Sequence, residues 1–282
     1  MKTMNFVSRM LSVAAIASAM MIGCNKADSL EQDTAETMLR QSSEVEGSYD
    51  DMQTISDQAF AGSMSTFKNQ DNTDIASGCA TITRDSVAKT ILIDFGSTNC
   101  EGKDGRDRRG KILVSYTGRY REVGSVITIT PDNYFVNDNQ IQGTKVVTNL
   151  GDTDGDTFTE FHVVMNGSVT LADNKGTITF EADKYREWVA GEATEERSDD
   201  AFDVWGTASG SHADGKSYTA VADKATPLHR IAGCRHWVSG ILNITPAGKP
   251  TRSIDFGNGT CDDQAVVTVN GRSRTITLRH RR

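Results

Sequence analysis

Hydrophobic and polar residues alternate along most of the chain that follows residue 79, in short runs rich in Val, Ile, Thr and aromatic residues. Such alternation places one face of a strand against a core and the other toward solvent. Gly, Asn and Asp separate the runs, as is typical of all-β proteins. The predicted strands include residues 112–116, 125–129, 143–148, 159–165, 176–180, 204–209, 217–221, 238–245, 265–269 and 274–278.

Three dipeptides in this region predict tight hairpins: Asn166-Gly167, Asp214-Gly215 and Asn270-Gly271. Both residues of such a dipeptide tolerate the positive φ angles that two-residue turns need. The four prolines fall at predicted strand ends, where a missing N–H does not interrupt a ladder. No long helical pattern separates the strands, so parallel β-α-β units are not expected. We therefore predict an all-β fold of antiparallel sheets, either sandwich-like or an extended meander, and expect two sheets facing each other.

One segment carries a helical pattern instead. Tyr49, Met52, Ile55 and Phe60 recur at three- and four-residue steps, which is the spacing of one helical face. The pattern predicts one short amphipathic helix over residues 47–62 that packs on the β-body. A helix lying on a membrane surface is the alternative, but it would carry Lys and Arg where this segment is acidic.

An eight-residue phrase occurs twice, as IDFGSTNC at residues 93–100 and as IDFGNGTC at residues 254–261. In a strand, Ile and Phe of the phrase point to one face and Asp to the other. The glycine then ends the strand, and a turn leads to the cysteine. We interpret the two aspartates as structural rather than catalytic, because both copies keep the apolar pair and the cysteine along with the acid.

The N-terminal residues have the pattern of a secretory signal peptide over residues 1–23. Lys2 and Arg9 supply positive charge, and the apolar stretch that follows is too short to span a bilayer as a helix. It ends in Met21-Ile22-Gly23-Cys24, which resembles the lipobox of bacterial lipoproteins. The resemblance implies that Cys24 becomes the acylated N-terminus of the mature chain and its lipid anchor. An ordinary signal peptide with a coincidental cysteine is the alternative.

Residues 24–46 are polar and acidic, which predicts a flexible tether between the lipid and the body. Several acyl chains together hold a protein stably on a membrane. Asn25 follows the lipid cysteine, and in the bacterial sorting system an aspartate at this position retains lipoproteins at the inner membrane. We therefore expect a cell-envelope protein at the outer membrane, facing either the periplasm or the exterior.

Four cysteines remain besides Cys24, and an even number in an exported chain argues for two disulfides. Four cysteines allow three pairings. The repeat favours Cys79–Cys100 and Cys234–Cys261, because each pair then closes one of two related units. These units lie near residues 79–150 and 234–282, within a β-body that we predict over residues 75–282.

Residues 79–150 also contain a series of short patterns that resemble a known group of proteins. The patterns are Ile93-Asp94-Phe95-Gly96, Arg106, Gly110-Lys111-Ile112, residues 116–120 (YTGRY), residues 124–128 (GSVIT), residues 132–137 (DNYFVN) and Gly143-Thr144. Together with the lipobox they resemble uncharacterised exported lipoproteins of Gram-negative bacteria that have an all-β body. The resemblance implies location and architecture, and it implies no activity.

One acidic segment is a candidate metal site, formed by Asp152, Asp154, Asp156 and Glu160. Alternating carboxylates on a glycine turn suit Ca²⁺, which prefers hard oxygen ligands. The segment is not an EF-hand, because its glycine comes too early and Val163 stands where the bidentate acid is needed. A solvated hairpin loop without metal is the alternative. The formal net charge of −8 argues against binding to nucleic acid, which relies on Lys and Arg.

The sequence contains none of the common catalytic motifs, such as H-E-x-x-H, G-x-S-x-G or a phosphate-binding loop. Trp188, Trp205 and Trp237 could form a platform for sugars, although core packing is the simpler interpretation. The favoured hypothesis is a non-enzymatic envelope lipoprotein that binds a glycan or a protein or has a structural role. The alternative is a hydrolytic enzyme, acting on glycans or other substrates. A deep pocket that holds two facing carboxylates, or a histidine beside a serine, would count against the binding hypothesis, and a smooth sheet surface without such a pocket would count against the enzyme.

Overall fold

The computed structural model describes residues 45–60, 78–194, 196, 198–234 and 236–278. Within these residues the chain forms one α-helix, α1, over residues 45–60, one short 3-10 helix, Ala172–Asn174, and fifteen strands. The strands are β1 Thr81–Asp85, β2 Thr90–Asp94, β3 Cys100–Glu101, β4 Asp107–Tyr116, β5 Val126–Val136, β6 Asn139–Gly151, β7 Thr159–Thr170, β8 Thr177–Ala190, β9 Ala201–Ser211, β10 Ser217–Ala222, β11 Leu228–Ile231, β12 Ser239–Pro246, β13 Arg252–Asn258, β14 Gln264–Val269 and β15 Arg272–Thr277.

All fifteen strands belong to one antiparallel sheet, in which most strands pair with the next strand in the chain. The short strands β3 and β11 lie beside the main path, where β3 pairs with β4, and β11 pairs with β9 and β12. The predicted all-β antiparallel fold with one N-terminal helix is confirmed, in its extended-meander form. The expected pair of facing sheets is not found in the described residues, because consecutive hairpins keep all of the strands within one sheet.

Strand alternation determines which side chains form the core. On β7, Phe161, Val163 and Met165 are buried, while Val164 between them is partly exposed. The same alternation recurs on neighbouring strands, so one face of the sheet is apolar. The apolar side chains of α1, including Val45, are fully buried against this face and complete its core.

Polar contacts also fix α1 on the sheet. Asp51 accepts two hydrogen bonds from the buried Arg108 of β4, at 2.7 Å from Nη2 to Oδ1 and 3.2 Å from Nε to Oδ2. The Lys145 ammonium lies 3.0 Å from Asp50. Val45 and Glu46, assigned to the tether from the sequence, lie in this helix, whereas residues 61 and 62 of the predicted helix lie outside the described residues.

Two of the three predicted turns are confirmed and one is wrong. Asn270-Gly271 forms the two-residue turn between β14 and β15, with φ angles of 51° and 75°. Asp214-Gly215 lies in the turn between β9 and β10. Asn166-Gly167 lies inside β7, opposite Gly143. A Cβ atom at Gly167 would be 1.6 Å from the Tyr49 hydroxyl oxygen, so this glycine makes room for α1.

The prediction that every proline ends a strand is wrong for Pro131. This residue lies inside β5, opposite Ile112 of β4. On its other side the pairing of β5 with β6 is irregular between Ile129 and Tyr134. A bulge of this kind leaves residues out of the ladder, so it tolerates a proline that cannot donate a hydrogen bond.

The two predicted disulfides are confirmed. Cys79 pairs with Cys100 and Cys234 with Cys261, with Cα–Cα distances of 5.6 and 5.7 Å. The first bridge joins the segment that precedes β1 to β3, and the second joins the segments that precede β12 and follow β13. Each bridge therefore closes one copy of the repeated unit.

Candidate functional site

The aspartates of the repeated phrase each stabilise a turn. Asp94 Oδ1 accepts a hydrogen bond from the Gly96 N–H at 2.8 Å, and Asp255 Oδ1 accepts one from the Gly257 N–H at 2.9 Å. The Gly96 N–H lowers the pKa of Asp94, and Lys111 lowers it further. Both side chains thus form the same Asx turn, which gives these acids a structural role.

The acidic segment predicted as a metal site forms a tight loop between β6 and β7. Asp152 accepts hydrogen bonds from the N–H groups of Gly155 at 2.7 Å and Thr157 at 3.1 Å. Ligand oxygens of Asp152, Asp154 and Asp156 lie within 4.8 Å of one another, and all three residues are exposed. The loop therefore gathers three carboxylates at one end of β7.

Two glutamates lie beside this loop on adjacent strands. Glu160 of β7 faces Glu187 of β8 across the ladder. They are only 6% and 9% exposed, respectively. Burial raises the pKa of Glu187, and the neighbouring Asp156 raises it further. We refer to the three loop aspartates together with Glu160 and Glu187 as the acidic corner.

Lys224 provides a positive charge next to the acidic corner. Its ammonium lies 3.0 Å from Asp154 Oδ2 and 3.5 Å from Glu160 Oε2. It also lies over the indole ring of Trp205, 4.6 Å from the ring centroid. Hydrogen bonding to Asp154 raises the pKa of this lysine. Glu187 makes no hydrogen bond or ion pair within the described residues, but the positive charge of Lys224 opposes the rise in its pKa.

A second group of polar residues lines a shallow pocket of about 380 Å³ on β9, β11 and β12, which we refer to as the His229 pocket. His229 Nδ1 lies 2.5 Å from Asp203 Oδ1. Ser239 stands opposite His229 in the β11–β12 pairing, and Asp255 also lines the pocket. A carboxylate at Nδ1 orients an imidazole as a general base, which is the arrangement of serine hydrolases. The Ser239 hydroxyl makes no hydrogen bond to any described residue.

A broad trough of about 1230 Å³ crosses strands from β6 to β12, and we refer to it as the polar trough. Its charged lining residues are Glu181 and Lys249. The remaining polar lining consists of hydroxyl and amide side chains, namely Gln142, Asn166, Ser168, Thr179, Ser209, Ser211, Ser217, Thr219, Tyr218 and Thr245. Such a surface offers many uncharged hydrogen-bond donors and acceptors over a large area.

The three tryptophans do not form a common platform. Trp188 is buried among core side chains, and Trp237 packs against the core. Trp205 stacks on Tyr185, which in turn stacks on His162, so these ring faces cover one another. The packing interpretation therefore describes the tryptophans better than a sugar-binding platform.

Part of these sites could be predicted from the sequence and the rest could not. The three loop aspartates and Glu160 were predicted, because they are close together in the chain. Glu187 and Lys224 were not predicted, because only the register of β8 and the path of the chain after β10 bring them to the loop. Asp203 and His229 were not singled out, because these residues are 26 positions apart. The predicted lipidation site, Cys24, lies outside the described residues.

No helix among the described residues is long and apolar enough to cross a membrane. Comparison of the chain with protein-family models, curated proteins and solved structures finds no match.

Proposed function

We propose that this protein is a lipid-anchored envelope protein whose β-body binds a neutral, hydroxyl-rich ligand such as a glycan in the polar trough. The lipobox-like sequence at Cys24 supports the lipid anchor. The uncharged polar side chains that line the trough are the observation that favours a neutral, hydroxyl-rich ligand. Hydroxyl and amide groups exchange hydrogen bonds readily with sugar hydroxyls. A trough of this size could hold several sugar units, since sites for single small ligands occupy about 300–1,000 Å³.

The anchor is tested by the Cys24→Ser variant expressed in a Gram-negative host. The unmodified protein should be found in the membrane fraction and the variant in the soluble fraction, because a serine cannot carry the thioether-linked lipid. A variant that remains in the membrane fraction would contradict the proposed anchor.

Ligand binding is tested with the purified protein on an array of neutral glucan, xylan and mannan oligosaccharides. Thr179 and Thr219 are exposed residues of the trough lining. Thr179→Arg and Thr219→Arg should abolish binding by filling the trough. Thr207→Arg is the matched control, because Thr207 is an exposed threonine of β9 outside the lining. Absence of binding to every probe, or equal binding by all three variants, would contradict the proposal.

The His229 pocket favours a second candidate function, a hydrolase with Ser239 as nucleophile and His229 as general base. The 2.5 Å contact between His229 and Asp203 is the observation that supports it. A fluorophosphonate probe should then label the protein at Ser239, and both Ser239→Ala and His229→Gln should prevent labelling. If the probe does not label the protein, the hydrolase proposal for the His229 pocket is wrong.

A further inference from the structure

We infer that the ligand of the polar trough is a linear, uncharged glycan chain that lies across the strands, and that Glu181 excludes acidic chains. This inference rests on the proposed function, because it concerns the same trough and names the class of glycan. Three observations support it: the outline of the trough, the order of the polar side chains within it, and their charge.

The trough is long across the strands and narrow along them. Its lining takes two or three consecutive residues from each of the strands β6, β7, β8, β9, β10 and β12, for example residues 179–181 of β8. Neighbouring strands are about 4.8 Å apart, so these six strands span about 24 Å, whereas three residues span about 7 Å along a strand. This outline matches a single extended chain better than a compact or branched ligand.

The polar side chains of the trough form two parallel rows that cross the strands. One row contains residues that are opposite one another in successive strand pairs, namely Asn166, Glu181, Ser209, Thr219 and Thr245. The other row contains Gln142, Ser168, Thr179, Ser211 and Ser217 in the same arrangement. All ten residues line the trough. Each row therefore presents hydrogen-bonding groups at the spacing of the strands, about 4.8 Å, to successive units of a chain.

Most of these ten side chains are available to a ligand. Thr179 and Ser211 share a hydrogen bond of 2.8 Å, and Thr245 shares one of 2.8 Å with Thr251. The other seven side chains make no hydrogen bond or ion pair with any described residue. Their hydroxyl, amide and carboxylate groups are therefore free to exchange bound water for the hydroxyl groups of a sugar chain.

Glu181 is the one acid among the ten residues, and its side chain is exposed. A uronic acid unit bound beside it would bring two carboxylates together, whereas a neutral sugar meets no repulsion. Lys249, the other charged residue of the lining, lies on the turn after β12. That turn is three strands from β8, about 14 Å away, and no ion pair joins Lys249 to Glu181 within the described residues.

The first test measures by calorimetry the affinity of the purified full-length protein for cello-, xylo- and manno-oligosaccharides of about two, four and six units, since six units match the six strands. For the sugar that binds, the hexasaccharide should bind at least about tenfold more tightly than the disaccharide, because it contacts more of each row. A protein that binds none of these sugars would overturn the proposed function and the inference with it. A disaccharide that binds as tightly as the hexasaccharide would leave the proposed function intact and overturn the inference.

Gln142→Ala tests whether the chain crosses the strands, because Gln142 lies on β6 at one end of the trough. The variant should bind the hexasaccharide about threefold or more weakly and should bind the disaccharide nearly as well as the unmodified protein does. Gln140→Ala is the matched control, because Gln140 lies on the same strand and the same face, two residues away and outside the lining. Unchanged hexasaccharide affinity of Gln142→Ala, or an equal loss for Gln140→Ala, would show that the chain does not cross the strands.

Glu181→Gln tests the exclusion of acidic chains, with hexagalacturonide as the acidic probe. In low salt the variant should bind this probe about fivefold more tightly than the unmodified protein does, with no gain for the neutral hexasaccharide. Asp183→Asn is the control, since Asp183 is an exposed acid on the same strand and face but outside the lining, and its effect should be much smaller. If Glu181→Gln does not raise the affinity for hexagalacturonide, or if Asp183→Asn raises it equally, the assigned role of Glu181 is wrong.

Discussion

The two copies of the repeated unit use the same backbone arrangement. Ile93 and Phe95 of the first copy are 0% and 5% exposed, and Ile254 and Phe256 of the second are 1% and 5% exposed. The Asx hydrogen bonds and the Cα–Cα distances of the two disulfides differ by only 0.1 Å. The apolar pair, the Asx turn and the disulfide therefore form one structural motif that occurs twice.

The copies differ on the strand that pairs with the phrase. Asp94 faces Lys111 of β4, whereas Asp255 faces Val266 of β14. Three residues before Lys111 is the buried Arg108, which binds α1, and three residues before Val266 is the exposed Asp263. The apolar pair, the Asx turn and the disulfide therefore form with different side chains on the paired strand. In the first copy the neighbouring strand holds the helix, and in the second copy Asp255 lines the His229 pocket.

The largest expected effect concerns Arg108, the basic residue that is specific to the first copy. Its Nη2 atom lies 2.7 Å from Asp51 and 2.7 Å from Asp104, and its side chain is fully buried. Burial by itself would lower the pKa of Arg108, but the hydrogen bonds of Asp104 and Asp51 raise it. Arg108→Met should lower the free energy of unfolding by about 3 kcal/mol, because the buried Asp51 loses its buried partner and retains the partly exposed Arg106 at 3.1 Å. Urea denaturation at pH 7 measures this change.

Arg109→Met is the matched control on the same strand. Arg109 is partly exposed and pairs with Asp138 at the surface, so its loss should cost at most about 1 kcal/mol. Equal losses for the two variants would mean that Arg108 does not anchor α1 in the way described.

The second prediction compares the two disulfides directly. Their cysteines are 21 and 27 residues apart, so the chain-entropy estimate gives about 3 kcal/mol for each. The double variants Cys79→Ala/Cys100→Ala and Cys234→Ala/Cys261→Ala should therefore lose similar free energies of unfolding in urea. A loss more than twice as large for one pair would show that the two units are not energetically equivalent.

Features of the fold that depend on neighbouring residues could be predicted from the sequence. Alternation predicted most strands, and the repeat predicted both disulfides, because each depends on residues that are close in the chain. Gly167 was misinterpreted as a turn residue. A glycine is needed there because a Cβ atom would collide with Tyr49, which is more than a hundred positions away in the chain. Pro131 was misplaced because a bulge depends on the register between β5 and β6, which no local pattern specifies.

In the candidate sites too, only residues that are close together in the chain could be predicted. Asp152, Asp154 and Asp156 are adjacent in the chain and were predictable as a possible metal loop. Alternation along β8 predicts that Glu187 faces outward, yet it is buried beside Trp188, so no sequence signal distinguishes it. Only the pairing of β7 with β8 places it opposite Glu160.

A smaller effect concerns the pH dependence of the first copy. The Gly96 N–H and Lys111 lower the pKa of Asp94 from 3.8. A carboxyl with a lowered folded-state pKa stabilises the fold above its unfolded-state pKa, and this stabilisation is lost as the pH falls through the folded-state value. Asp94→Asn keeps the oxygen that accepts the Gly96 hydrogen bond but removes the charge. Its deficit in unfolding free energy should be largest near pH 7 and should shrink below about pH 4. A deficit that grows on acidification would contradict this assignment.

The smallest effect comes from exchanging the residues that face the two aspartates. Lys111 Nζ lies 3.3 Å from Asp94, and both side chains are partly exposed. Lys111→Val, which gives the first copy the residue of the second, should cost about 0.2–1 kcal/mol in low salt. Val266→Lys, which places a lysine opposite Asp255, should stabilise the protein by a similar amount. Because both effects arise from exposed charges, each should decrease strongly in 1 M salt, where the screening length is about 3 Å. If Val266→Lys instead destabilises the protein in both low and high salt, packing rather than charge distinguishes the second copy from the first.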